Sequence, residues 1–79
     1  MPKPFTATGK KNLIGANLIA LGKKYHLSQR GLAHELQLAG YDMDKNVITR
    51  IETQQRYVTD IEIKALCDLF NVSFEDLIK

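Results

Sequence analysis

The sequence has no tryptophan and a single cysteine, Cys67. One thiol rules out an internal disulfide, and with only His26 and His34 beside it there is no ligand set for structural zinc. No apolar run approaches the roughly 20 residues that span a bilayer, and the opening MPKPFTATGKKN lacks the apolar centre of a signal peptide. A soluble, cytoplasmic protein is expected, with no membrane partner. Also missing are a glycine-rich phosphate loop, a Ser/His/Asp or Cys/His nucleophile set, and carboxylates spaced to converge in a cleft. A core this small leaves little room for a substrate pocket. The expectation is therefore a protein that is not an enzyme, with no cofactor, no metal and no small-molecule ligand.

What is present suits one small module. The chain has 79 residues and 44% hydrophobic content; at that length about 60 to 65% of the unfolded surface is buried on folding. The net charge of +2 is unevenly spread. Residues 1 to 59 carry nine Lys/Arg against four Asp/Glu, a net of +5, and residues 60 to 79 carry two against five, a net of −3. Such an asymmetry places cationic charge on the first two thirds of the chain, where an anionic partner would be met. It also arises by chance in small domains.

Read in order, residues 1–12 hold Pro2, Pro4, Gly9 and the cations Lys3, Lys10 and Lys11, with Phe5 the lone anchor. They read as a flexible basic arm preceding a domain over 13–79; the arm is either a frayed terminus or a tail that follows phosphates. Asn12 caps a first helix running to about Tyr25, with Ile14, Leu18 and Leu21 inward. His26 falls in the loop that follows. Ser28 caps a second helix with an apolar stripe of Leu32, Ala33 and Leu36, continuing through Leu38 and Ala39 to a stop at Gly40. Tyr41 and Asp42 loop back before Met43 returns to the core.

Asp44 caps a third helix whose inward stripe is Val47, Ile48 and Ile51. Its outward set, Lys45, Asn46, Thr49, Arg50 and Thr53, contains no acid. Arg and Lys pair with guanine and Asn with adenine in a DNA major groove, so this face suits base edges. The polar TQQRY that follows reads as a loop from which Arg56 and Tyr57 reach phosphates. Thr59 with Glu62, and Ser73 with Asp76, form capping-box patterns ahead of a fourth and a fifth helix. From these, Ile63, Leu66, Cys67, Phe70, Val72, Phe74 and Leu77 are expected to fill the core, with Cys67 as a small hydrophobe.

The stretch from Ser28 to Glu52 resembles the helix-turn-helix of the phage repressor and Cro family. The likeness lies in the LSQ start at Leu27 to Gln29, the small Ala33, the ITRIE of residues 48–52 and the closing VTDIEIKALCDLFNVSFEDLI, and it covers roughly residues 14 to 78. It implies an all-α, five-helix, lambda-repressor-like DNA-binding domain. A homodimer on two half-sites one helical turn apart is implied as well, and Ile61 and Ile78 are the apolar residues left for that contact.

The resemblance places the N-terminus of the second helix against a phosphate, with Gln29 adding a side-chain donor and bracing Asn46, and with Arg30 nearby. The expected base readers are thus Lys45, Asn46, Thr49 and Arg50, and the expected phosphate contacts are Gln29, Arg30, Thr53, Arg56 and Tyr57. Arg30 reads equally as a solvated surface arginine, and Arg50 has Glu35 as an alternative partner.

Two departures from the family stand out. Gly22 sits where many members have an arginine that pairs with the residue matching Glu52, and QLAGYD (37–42) extends the connection between the second and third helices. The function implied is a sequence-specific DNA-binding regulator, a repressor by type, that reads the major groove with helix 44–53. The alternative is a protein-interaction module, such as an antitoxin, that shows a polar helix face without reading DNA.

Overall fold

The computed structural model describes residues 9–79. Five helices follow in order: α1 (Gly15–Lys24), α2 (Gln29–Leu38), α3 (Lys45–Glu52), α4 (Asp60–Phe70) and α5 (Phe74–Ile78). Among the described residues there is no strand. The arm expected over 1–12 lies largely outside the described residues. Its end is fastened: Lys11 N–H donates to the Gln54 carbonyl at 3.1 Å, and Asn12 is buried.

Four helices begin at the expected caps. Ser28, Asp44, Thr59 and Ser73 each accept from a backbone N–H three residues on, and the last two complete capping boxes with Glu62 and Asp76. Each side chain satisfies one of the N–H groups that a helix start leaves without a partner. α2 ends with Ala39 at its C-cap and Gly40 at φ +94°, a left-handed turn that glycine adopts without strain. The connection from α2 to α3 is therefore a helix end at Leu38, a cap at Ala39 and a glycine stop, after which Met43 is buried.

Two expectations need correction. α1 starts at Gly15 with Ile14 at the cap position, so Asn12 lies outside the helix. Its carboxamide oxygen accepts from Ile14 N–H at 3.2 Å and Gly15 N–H at 3.0 Å, while its Nδ2 donates to the carbonyls of Ile51 at 3.1 Å and Arg56 at 2.9 Å. One side chain thus joins the start of α1 to the end of α3 and the loop beyond it. Phe74, expected in the core, is half exposed because it opens the short α5, which buries only Leu77.

The core comprises Ile14 and Leu18 from the α1 region, Leu32, Ala33 and Leu36 from α2, Met43, Ile48 and Ile51 from the α3 region, Ala65, Leu66 and Phe70 from α4, and Leu77 from α5. The three- and four-residue steps of these positions are the inward stripes of amphipathic helices. Cys67 is half-buried against this cluster; burial, followed by the charges of Asp68 and Asp76, pushes its thiol up, so little thiolate exists near neutral pH.

α3 packs on both α2 and α1. The approach to α1 is close: a Cβ at Gly15 would lie 2.6 Å from Gln54 Cγ and 2.7 Å from the Ile51 carbonyl oxygen. Only a residue without a side chain fits there. α4 covers α2, and α5 closes the bundle against α4 and α1. Asn17 helps fix α5 by donating from Nδ2 to the Leu77 and Lys79 carbonyls at 2.7 and 2.9 Å.

Candidate nucleic-acid interface

α3 is held from behind and free in front. Ile48 and Ile51 are fully buried, Val47 is half-buried, and Lys45, Asn46 and Arg50 are exposed. Among the described residues no hydrogen bond or ion pair engages the side chains of Lys45, Asn46 or Arg50. Arg50 therefore does not pair with Glu35. Asn46 and Arg50 stand four residues apart, on one side of the helix and one turn from each other. An α-helix with its side chains is about 10 to 12 Å across, which fits a major groove about 12 Å wide.

The threonines are occupied differently. Thr49 is half-buried, and its hydroxyl lies 2.9 Å from both Gln29 Oε1 and the Lys45 carbonyl, while the exposed Thr53 donates to the Thr49 carbonyl at 2.8 Å. Both hydroxyls are thus spent within the domain. That leaves the charged and amide ends of Lys45, Asn46 and Arg50 as the unengaged polar groups of α3.

Gln29, the first residue of α2, is half-buried and tied to α3. Its Nε2 donates to Glu52 Oε1 at 2.7 Å, and its Oε1 accepts from Thr49 at 2.9 Å. It braces Thr49 and Glu52, where Asn46 was the expected partner. Glu52 pairs with no cation among the described residues and is held by this neutral amide. Arg30 is exposed beside it on α2.

In the loop after α3, Arg56 pairs through Nη2 with Glu62, and its Nε is buried with no partner. The same Glu62 carboxylate accepts from Thr59 N–H at 3.1 Å to complete the α4 capping box. Arg56 therefore braces α4, a role that the polar TQQRY segment did not reveal. Tyr57 is exposed, with Lys11 Nζ 5.4 Å from its ring centroid, so a cation and a phenol stand together at the edge of the α3 end of the domain.

Sequence reasoning missed the Gln29–Glu52 bond and the Asn12 and Asn17 ties because their partners are 23 to 62 residues apart. No helical or strand period connects such positions.

Among solved structures, the chain is similar to the crystal structure of the DNA-binding domain of BldD, with a TM-score of 0.75 at 23% sequence identity, over 95% of this chain and 100% of that one. The fold is a helix-turn-helix. In it α2 and α3 form the two helices of the motif, joined by the extended turn of residues 39–44. No protein-family model matches the chain, and no curated protein does.

Proposed function

We propose that this helix-turn-helix domain binds double-stranded DNA sequence-specifically as a transcriptional regulator, a repressor in the manner of the repressor and Cro family it resembles. The observation that carries the reading is the state of α3: a helix fixed by buried Ile48 and Ile51 that presents Lys45, Asn46 and Arg50 with no polar partner among the described residues. Unengaged donors on a rigid element recognise base edges without first breaking bonds inside the protein. The likeness to the DNA-binding domain of BldD supports the same reading.

In this assignment Asn46 and Arg50 read bases and Lys45 assists them. Thr49, with its hydroxyl committed, contributes its methyl group to apolar contact. Phosphates are met by the N-terminus of α2, by Gln29 through its remaining N–H, by Arg30 and by Tyr57. Arg56 and Thr53, already engaged, hold the surface in shape. The protein acts as a homodimer, supported by the exposure of Ile61 on α4 and Phe74 on α5.

Binding to duplex DNA followed across a salt series tests the reading. Phosphate contacts release counterions, so log K should fall steeply and linearly with log salt, and Arg30→Ala should reduce the slope by about one. Binding indifferent to salt would point to a protein partner.

A further inference from the structure

Glu52 closes α3, where the helix dipole is negative, and its half-buried carboxylate pairs with no cation among the described residues. A carboxylate at that end is unfavourably placed and requires a donor. The donor it has is Gln29 Nε2 at 2.7 Å, and Gln29 Oε1 in turn accepts from Thr49 at 2.9 Å. These three side chains form one directed chain, Thr49 to Gln29 to Glu52.

The direction of that chain has a single determinant. A hydroxyl can donate or accept, and an amide can be turned over to exchange its oxygen and nitrogen, so Thr49 and Gln29 alone are compatible with either sense. An ionised carboxylate only accepts. Glu52 therefore obliges Gln29 to face it with NH2 and to face Thr49 with oxygen. With one N–H spent on Glu52, the amide keeps one donor at the first residue of α2, beside the free backbone N–H groups of the helix start. A phosphate, which also only accepts, can use that donor; the reversed amide would offer it an oxygen.

We propose that Glu52 is a positioning residue that, through Gln29, fixes the donor face which α2 offers to a DNA phosphate. The inference rests on the DNA-binding reading above. It also gives the helix-turn-helix a clamp between α2 and α3 made by an amide.

The experiment is a double-mutant cycle on binding to one duplex selected with the wild-type protein. The cycle uses Gln29→Ala, Glu52→Gln and the double variant, at a temperature where circular dichroism shows all four proteins fully folded. Gln29→Ala should weaken binding roughly tenfold, the size of a hydrogen bond to a charged group. Glu52→Gln, which keeps the shape, should also weaken binding although it removes a negative charge, and the double variant should bind no worse than Gln29→Ala. In the free protein, the side-chain amide protons of Gln29 should shift in Glu52→Gln, which reads the orientation without DNA. If Glu52→Gln instead binds as tightly as wild type or tighter, or if the two losses multiply, the carboxylate does not act through Gln29 and the inference is overturned. Failure of the wild type to bind any duplex would overturn the DNA reading and this inference with it.

Discussion

Asn12→Ala should be among the most destabilising single changes outside the apolar core. The side chain is 8% exposed and makes four hydrogen bonds to backbone, two accepted from the start of α1 and two donated to the end of α3 and the following loop. Alanine leaves two N–H groups and two carbonyls without partners in a region that water reaches poorly. A net hydrogen bond contributes about 1 kcal/mol, and a buried group left unsatisfied costs about 1 to 3 kcal/mol. Allowing for water at the part-buried Arg56 carbonyl, the expected loss is about 2 to 5 kcal/mol. A chain of this length has a total stability of roughly 4 to 12 kcal/mol, so the variant should show a large drop in urea midpoint with the slope unchanged. Asn12→Asp separates the two halves of the role: it keeps the acceptor for α1 but turns an oxygen toward two carbonyls, and it should be at least as damaging. A loss below about 1 kcal/mol for alanine, or an aspartate variant as stable as wild type, would refute the claim that this carboxamide joins α1 to α3.

Gly15→Ala should destabilise by about 1 to 3 kcal/mol in thermal unfolding, although alanine favours helix, because its Cβ would meet Ile51 O at 2.7 Å and overpacking outweighs propensity. Ile51→Ala should cost about 2 to 5 kcal/mol by opening a cavity behind α3; a change within error would mean that the wrong face had been assigned inward. Asp76 is held below its ordinary value of 3.8 by the Ser73 N–H, then by the Ser73 hydroxyl and Lys79. Because the folded value is the lower one, its contribution is complete above about pH 4 and is lost as pH falls through the depressed value. Asp76→Asn should therefore flatten the acid limb of the stability profile below pH 4, and an unchanged limb would show that the α5 cap does not titrate with folding.

The parts of this fold that could be read from the sequence are those that local physics dictates. Ser28, Asp44, Thr59 and Ser73 announced four helix starts because a cap and its N–H lie within three residues, and the apolar steps of Leu32, Leu36, Ile48 and Ile51 announced the buried faces. The glycine stop of the extended connection was equally legible, since Gly40 needs no partner to turn left-handed. What stayed hidden was polar and distant. Asn12 looked like a cap because it stands two or three residues before the N–H groups it serves, yet half of its bonding goes across the fold. Arg56 looked like a free cation in a polar loop, and its pairing with Glu62 depends on how that loop folds back over α4. Of the candidate surface, the exposed character of Lys45, Asn46 and Arg50 followed from the stripe opposite them, whereas the commitment of Thr49 to Gln29 depends on the packing of α2 against α3.

Selection of binding sites from random duplex DNA, run in parallel with the wild-type protein and Arg50→Ala, tests the central claim most directly. The account predicts that the wild type enriches a twofold-symmetric site with half-sites about one helical turn apart. Arg50→Ala should relax preference at one or two adjacent positions in each half-site, with a loss of about 1 to 3 kcal/mol there and little change in non-specific affinity. An unchanged consensus with uniformly weaker binding would remove Arg50 from base reading, and no enrichment by the wild type would contradict the assignment of α3 as a DNA-reading helix.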